Sequence, residues 1–282
     1  MFSMRINSVV PDRGAPITKN MRRDMSGISP LRGLDPNPSG AIGSGVSKLY
    51  TSGEYATLNP DWHEGDALHK ASVITTLLLG HAMRPAEVVD VGRGSGLVLR
   101  ACRDLLGPQG WSEVRFEGWD IAEAAIDRAA RWQTEGLSYH HGDFTAEARV
   151  VDLALCVDVF EHLPDPAAFL VRLASTARAV VFRIPLDDCV YYRARPSRLR
   201  RLEQRYGHLH HYHRASALRL LRAAGFEIRD SMYDRVPLQP GGLRGAVVDA
   251  IRVRAFSRWP DACVRGLGGW SLLVLAHSGE NR

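Results

Sequence analysis

The chain has 282 residues and a net charge of +5, with 45% hydrophobic and 24% charged residues, values that suit a globular protein with one sizeable core. The four cysteines lie far apart without a CxxC pair, which argues against a zinc cluster or a disulfide framework and favours a reducing setting. The apolar runs are far shorter than the roughly 20 residues that span a bilayer. The N-terminus also lacks the apolar segment of a signal peptide. We therefore expect a cytoplasmic protein without a membrane partner.

The N-terminal part of the sequence differs in composition from the rest. Residues 1–45 are rich in proline, glycine and serine and show no sustained periodicity, which is typical of a flexible leader. Aromatic and ionisable residues then appear together, and helical spacing of apolar residues predicts a helix over Ala67–Gly80. We predict a leader at 1–45 and one folded domain at 46–282, in which residues 46–80 form an N-terminal cover.

Beyond this helix, short apolar runs alternate with helical patterns. The pattern predicts strands at Glu87–Val91, Arg115–Trp119, Leu137–His140, Asp152–Val157 and Ala179–Ile184, and helices at Leu97–Leu106, Glu123–Gln133 and Pro166–Thr176. Such alternation indicates βαβ units and a doubly wound α/β domain with a parallel sheet. After a helix at Ala215–Ala224, strands at Phe226–Met232 and Trp270–Ala276 lack a full crossover, which predicts an antiparallel C-terminal edge.

A glycine-rich turn follows the first predicted strand. Gly92, Gly94 and Gly96 permit a tight turn, let a ligand approach the backbone and direct amides towards it. The dinucleotide-binding pattern would need its third glycine at position 97, which is Leu97. The turn therefore disfavours a nicotinamide cofactor, although a purely structural turn remains an alternative.

Carboxylates lie at the ends of the following strands. Asp120 closes the second strand, where a carboxylate can accept hydrogen bonds from both hydroxyls of a ribose. Asp143 and Phe144 follow the third strand and offer a carboxylate for an adenine amino group and a ring for its face. Asp158 follows the fourth strand, at the point where open α/β sheets bind their ligands.

In this order, the strings VVDVGRGSG, GWDIAEAAI, GDF and DLALCVDVFEHLPDP resemble motifs I to IV of class I S-adenosylmethionine (SAM)-dependent methyltransferases. The resemblance covers about Glu87–Ile184, and the last helix and two strands in layout. It implies a Rossmann-like methyltransferase fold with a seven-stranded, mostly parallel sheet, and SAM as cofactor with S-adenosylhomocysteine (SAH) as product. The cofactor-binding residues that it implies are Asp90, Gly92, Gly94 and Gly96 near the methionine part, Asp120 on the ribose, Ile121, Asp143 and Phe144 around the adenine, and Asp158 at the methionine end.

Two regions are predicted to contact the methyl acceptor, and the first is the cover. Tyr50, Trp62 and His63 belong to a segment that resembles the N-terminal cover of methyltransferases associated with natural-product chemistry, although Trp62 anchoring the arm to the core is an alternative. Arg193 lies in an arginine-rich stretch that extends to residue 205. This stretch would hold a phosphate, a carboxylate or a carrier protein, or else it is a solvated helix face.

The second region is the histidine-rich end of a basic segment at residues 188–213. Its sequence, Gly207 to His213, resembles the GH…Y segment of related methyltransferases, in which a histidine faces the acceptor. Because the ordinary pKa of histidine suits a general base near neutral pH, we predict His208 or His211 as the catalytic base. We expect no metal site, since these histidines have no carboxylate partner close in sequence. We also expect His162 to be structural.

The sequence therefore predicts methyl transfer from SAM to an oxygen or nitrogen of a small molecule, including an acidic or carrier-linked one, by a chain that is a candidate homodimer. A nucleic-acid methyltransferase is one alternative, supported by a pI of about 9.2. It is disfavoured because Asp158–Glu161 lacks the Pro-Pro-aromatic motif of base methyltransferases and because no cysteine follows a proline. A SAM-binding scaffold without activity is a further alternative.

Overall fold

The structure is a computed structural model that describes residues 57, 59, 62, 64–92, 94–235 and 242–279, with the backbone alone at 242–246 and 248. The predicted leader at 1–45, Tyr50 and His63 lie outside the described residues.

Within the described residues, seven strands form one sheet in the order β3-β2-β1-β4-β5-β7-β6. The strands are β1 Glu87–Val91, β2 Arg115–Asp120, β3 Leu137–His141, β4 Val151–Val157, β5 Ala177–Pro185, β6 Phe226–Arg235 and β7 Trp270–Ser278. Strands β1 to β5 pair in parallel, whereas β7 runs antiparallel to both β5 and β6. The predicted mostly parallel sheet with an antiparallel C-terminal strand is confirmed. This strand lies between β5 and β6, so that β6 forms the edge.

The helices cover both faces of this sheet. They are α1 Ala67–Gly80, α2 Leu97–Leu106, α3 Glu123–Ala130, α4 Pro166–Thr176, α5 Val190–Arg193, α6 Pro196–Tyr206, α7 Arg214–Ala223, α8 Gly242–Arg258 and α9 Pro260–Leu267. Helix α4 begins as predicted, because the Asp165 carboxylate accepts a hydrogen bond from the Ala168 amide at 2.9 Å and Pro166 takes the first helical position. In the described part of the chain, no helix has the length and apolar character needed to cross a membrane.

Two apolar layers sandwich the central strands. Along β4, Leu153 and Leu155 pack on one side with α1 and α2, whereas Ala154 and Cys156 pack on the other with α4 and α7. This alternation follows from the period of two along a strand. Since both faces of the central strands are covered, a charged side chain within them needs a partner of opposite charge.

The parallel strands bring the functional loops together. The carboxyl ends of β1, β2, β4 and β5 lie at the same edge of the sheet, so the loops that follow them meet there. Short 3-10 turns at Glu64–Asp66 and Phe160–His162 contribute to the same region.

Candidate active site

A cavity of about 400 Å³ opens at this edge of the sheet. Its lining comes mainly from the cover, the glycine-rich turn, the ends of the parallel strands, and the end of α6 together with His208. Its lining includes Trp62, Lys70, Asp90, Gly92, Gly94, Asp120, Ile121, Asp158, His162, Arg183, Tyr206 and His208. Many residues that the sequence predicted for a nucleoside ligand and for its reaction partner therefore share one cavity.

The glycine-rich turn needs glycine for two reasons. Gly92 and Gly96 have φ values of +72° and +76°, in the left-handed region that side chains with a Cβ rarely adopt. A Cβ on Gly92 would lie 2.8 Å from a methyl group of Val159, and a Cβ on Gly96 would lie 2.8 Å from the Tyr139 ring. The turn is therefore packed tightly against β3 and the loop after β4.

Asp120 holds this turn in place from the end of β2. One carboxylate oxygen accepts a hydrogen bond from the Gly94 amide and the other from the Ala122 amide, both at 2.9 Å. Asp120 and Ile121 line the cavity beside the glycines, and the buried Asp90 lines it from the end of β1. This arrangement gives the cavity a carboxylate, backbone amides and an apolar side chain at one end.

Two predicted adenine residues occupy a different position. Asp143 Oδ1 accepts hydrogen bonds from the amide and the hydroxyl of Thr145, at 2.9 and 2.7 Å. Phe144 is completely buried, with the Arg149 guanidinium 5.4 Å from its ring centre. Neither lines the cavity, and Phe144 packs beneath Trp119, with 5.9 Å between ring centres. The structure therefore differs from the expectation that the Phe144 ring faces a ligand.

The described part of the cover spans the cavity. The Asn59 side chain donates a hydrogen bond to the Arg205 carbonyl at the end of α6, and Glu64 accepts one from Arg128 Nε of α3, at 3.0 and 2.7 Å. This contact with Arg128 lowers the pKa of Glu64 below its ordinary value. The Trp62 ring lies 3.6 Å from the place of a Cβ on Gly94. Trp62 thus packs over the glycine turn, as well as lining the cavity.

A buried network of charges forms the cavity wall at the ends of β4 and β5. The Asp158 carboxylate, held at a φ of +55°, accepts hydrogen bonds from Arg183 at 2.6 and 2.7 Å and lies 2.9 Å from Lys70 Nζ. Burial alone would raise the pKa of Asp158, but the charges of Arg183 and Lys70 hold it well below its usual range. Asp158, expected near the methionine end of a cofactor, is therefore already paired with two cations.

Arg183 also continues this network away from the cavity. Its Nε donates to Asp234 Oδ2 on β6 at 2.7 Å, and His69 of α1 lies 2.7 Å from the other Asp234 oxygen. The Arg183 side chain is 5% exposed and that of Asp234 is 2% exposed. Burial would raise the pKa of Asp234, but His69 and Arg183 keep it below the ordinary value. The network joins α1, β4, β5 and β6 behind the cavity.

Asp187 holds His208 in the cavity lining. The Nδ1 atom of His208 donates a hydrogen bond to Asp187 Oδ2 at 2.7 Å. The Glu161 carbonyl accepts hydrogen bonds from the amides of Leu209 and His210, at 2.9 and 3.1 Å, which fixes the chain next to His208. Burial would lower the pKa of His208, but the hydrogen bond to Asp187 and the nearby carboxylates raise it. His208 is the predicted catalytic histidine that lines the cavity.

Glu161 and His162 lie beside this pair. The Glu161 side chain is 1% exposed, and neither of its carboxylate oxygens has a hydrogen-bond partner among the described residues. Burial, together with the charge of Asp158, raises the pKa of Glu161 to about 8. The Nδ1 atom of His162 donates to the Gly207 carbonyl at 3.2 Å, and the rings of His162 and His208 are 5.0 Å apart. Burial, with the charge of His208, lowers the pKa of His162 to about 4.

The remaining predicted acceptor residues lie elsewhere. His211 does not line the cavity, and its Nε2 lies 3.4 Å from Glu203 Oε1. Arg193 is largely exposed and pairs with Asp188 outside the cavity, at 2.5 Å, so the prediction that Arg193 contacts the substrate has no support in this structure. His210, another histidine of the same segment, donates a hydrogen bond to the Leu163 carbonyl at 2.9 Å.

Several charged residues of the site were not singled out from the sequence. Arg183 interrupts an apolar strand that is buried on both faces, which is a signal that carboxylate partners exist nearby. Asp187 lies two residues after the carboxyl end of β5, at the edge of the sheet where ligands bind. The histidines do have carboxylate partners, because Asp187 and Glu203 reach His208 and His211 from positions 21 and 8 residues earlier in the chain.

Comparisons with known proteins agree with this arrangement. A family model described as a methyltransferase domain matches residues 63–231, which is more than half of the chain. No curated protein sequence matches. Among solved structures, a Haloferax volcanii protein described as a methyltransferase, in complex with the Trm112 methyltransferase activator, is 16% identical, with a TM-score of 0.53 over 83% of this chain and 97% of that one.

Two other solved structures resemble the chain less closely. Magnesium protoporphyrin IX methyltransferase of Synechocystis PCC 6803 with bound SAH is 15% identical, with a TM-score of 0.49 over 75% of this chain and 83% of that one. The plantazolicin methyltransferase BpumL, in complex with a monoazolic desmethylPZN analogue and SAH, is 14% identical, with a TM-score of 0.48 over 81% of this chain and 89% of that one. At these sequence identities a solved structure shows the fold alone. The family model, in contrast, matches more than half of the chain and includes most of the sheet. The chain therefore belongs to the methyltransferase-domain family of class I SAM-dependent methyltransferases.

Proposed function

We propose that the chain transfers the methyl group of SAM to an oxygen or nitrogen of a small molecule bound in the cavity. The observation that carries this proposal is that the glycine turn, Asp120 and His208 all line one cavity. SAM supplies an electrophilic methyl group and leaves as SAH, so a reaction partner has to be aligned with this methyl group and shielded from water.

The residues around the glycine turn suit SAM. Asp120 has the position of a carboxylate that binds ribose hydroxyls, and Gly92 and Gly94 bring backbone without side chains to the cavity lining. We assign Asp90, Gly92, Gly94, Gly96, Asp120 and Ile121 to cofactor binding. Asp158 orients Lys70 and Arg183 beside the methionine part.

The residues around His208 suit the acceptor. Trp62 would shield the reacting groups from water, because Asn59 and Glu64 tie the described part of the cover to α6 and α3. His208 lies where the acceptor would lose its proton, and Asp187 fixes the orientation of its ring. The sequence-based prediction of a histidine base therefore applies to His208 in preference to His211.

The acceptor class follows from the rim of the cavity. Helix α6 places Leu202 and Tyr206 in the lining and carries Arg198, Arg201 and Arg205 beside them. We propose that a metabolite with an acidic group, free or carrier-linked, approaches over this helix. We also propose a cytoplasmic location, since all four cysteines are buried free thiols. A homodimer stays a prediction.

Incubation with isotope-labelled SAM and a panel of acidic hydroxyl and amine metabolites tests the proposal. A labelled small molecule is the expected product, and His208→Gln should lower its rate of formation. Label in RNA or DNA, included as separate arms, would favour a nucleic-acid methyltransferase instead. SAH binding without a labelled product from any arm would favour an inactive scaffold and contradict the proposal.

A further inference from the structure

The feature that the proposed function leaves unexplained is the Glu161 carboxyl. A histidine base requires His208 and the Asp187 that orients it, and makes no use of Glu161. Yet the Glu161 side chain is 1% exposed and both its oxygens lack a hydrogen-bond partner among the described residues. A buried carboxyl without a partner is costly, so such a group is expected to bind a proton or a cation.

Two histidines lie within reach of this carboxyl. The Nε2 atom of His162 is 3.8 Å from Glu161 Oε1, and one ligand atom from each of Glu161, His162 and His208 falls within 4.8 Å of the other two. Ligands around one tetrahedral zinc ion lie about 3.3 Å apart, given zinc–ligand bonds of about 2.0–2.2 Å. Side-chain rotations that move these atoms by about 1 Å would therefore bring all three around a single cation.

The hydrogen bonds of both histidines suit this role. The Gly207 carbonyl and the Asp187 carboxylate can only accept, so Nδ1 carries the proton in His162 and in His208. In His208 the lone pair of the neutral ring is then on Nε2, which faces the cavity side of the cluster with Glu161 and His162. Histidines that bind metals usually donate their other ring N–H to a carbonyl or a carboxylate in this way, which fixes the ring orientation.

We infer that Glu161, His162 and His208 form a binding site for a divalent transition-metal cation that contacts the methyl acceptor, an inference that rests on the proposed function. Two nitrogens and one carboxylate suit zinc or manganese better than magnesium or calcium, which prefer oxygen ligands. His162 and His208 line the cavity, so open coordination positions would face the acceptor. The nearby Asp158 does not compete, because Lys70 and Arg183 already neutralise it.

A second set of groups, Asp187, His208 and His211, also lies within 4.8 Å. It suits a cation less well, because Asp187 Oδ2 and His208 Nδ1 are 2.7 Å apart, the separation of a hydrogen bond. His211 also lies beside Glu203 and away from the cavity lining. Asp187 therefore acts as the carboxylate that orients a ligand.

The cation would change how the acceptor loses its proton. Bound to a hydroxyl, it would lower the pKa of that hydroxyl, and His208 would act as its ligand in place of a base. The acceptor oxygen would lose its proton to solvent as it binds the cation, and the resulting oxyanion would form the bond to the methyl carbon. The bond between that carbon and sulfur would break, with its electron pair remaining on sulfur.

The test is a calorimetric titration of the full chain, stripped with a chelator, with ZnCl₂ and with MnCl₂. We expect one cation per chain and a rise in melting temperature when the cation is present. Glu161→Gln, which keeps the shape of the side chain, and His208→Gln should each weaken binding at least about 100-fold. Glu203→Gln is the matched control, because it removes an exposed carboxylate that pairs with His211, outside the proposed ligand set, and should leave cation affinity unchanged.

Two results would overturn the inference: wild-type protein that binds neither cation, or folded Glu161→Gln that binds as tightly as wild type. Should Glu161→Gln fail to fold, unchanged affinity in His208→Gln is equally decisive. A titration of the same samples with SAH separates this inference from the proposed function. If SAH binds and methyl transfer is insensitive to chelators, the metal site is wrong and the methyltransferase proposal stands. If a cation binds and SAH does not, the methyltransferase proposal is wrong and the cation site stands.

Discussion

Replacing Arg183 with methionine removes the buried cation that joins Asp158 to Asp234. Losing one partner of a buried ion pair costs about 3–5 kcal/mol, since a charge is left buried without compensation. Here Lys70 still contacts Asp158 and His69 still contacts Asp234, and methionine fills much of the volume of the lost side chain. We therefore expect Arg183→Met to lower the free energy of unfolding by about 3 kcal/mol at pH 7, the lower end of that range.

The pH dependence of this loss follows from the carboxyl groups. In the folded protein, the pKa values of Asp158 and Asp234 lie below the ordinary value of 3.8. Groups with a depressed pKa stabilise the fold above their unfolded pKa and lose this effect as the pH falls through the folded one. The difference in the free energy of unfolding between wild type and Arg183→Met should therefore have its full size above about pH 5 and should become smaller below about pH 4.

Urea unfolding of both proteins across this pH range measures the difference directly. The matched control is Arg178→Met on the same strand, because Arg178 is 72% exposed and pairs with Asp152 at 2.8 Å. An exposed pair is worth only about 0.2–1 kcal/mol. Equal losses in Arg183→Met and Arg178→Met, or a difference that does not vary with pH, would refute the reasoning.

Three further predictions concern the cofactor end and the leader. Gly92→Ala should cost about 1–2 kcal/mol of stability from its positive φ, and should weaken SAH binding, because its Cβ would meet Val159 at 2.8 Å. Gly107→Ala, in helical conformation with nothing nearby, should be neutral in both thermal unfolding and calorimetry. Asp120→Ala should reduce SAM affinity about 10–150-fold, or about 1.5–3 kcal/mol, and an unchanged affinity in calorimetry would place the ribose elsewhere. Removal of residues 1–45 should leave the melting temperature unchanged in a thermal scan, and a large decrease would make the leader part of the core.

The sheet was predictable from sequence because its signals are local. Apolar runs and helical spacing recur along the chain, and a cap such as Asp165 followed by Pro166 marks a helix start within a few residues. Helices α8 and α9 were not predicted, and the sequence left a long connection at their place. The position of β7 between β5 and β6 was not predicted either, since strand order depends on packing that no local pattern encodes.

The candidate site was predictable only in part. The glycine turn and Asp120 follow from one loop and one strand end, so the sequence places them together. The neighbours of His208 could not be identified from the sequence in this way, because Asp187 precedes His208 by 21 residues and Glu161 comes from the loop after β4. The role of Arg193 was predicted from the run of arginines alone. The same run is compatible with an exposed Arg193 that pairs with Asp188 and contacts no ligand.

Calorimetric titration of the full chain with SAH and, separately, with NAD tests the central claim most directly. The claim is that the turn from Gly92 to Gly96 and Asp120 bind SAM and SAH at one end of the cavity. We predict one SAH site per chain, weakened in Asp120→Ala, and no detectable NAD binding. Binding of NAD without binding of SAH would contradict the account.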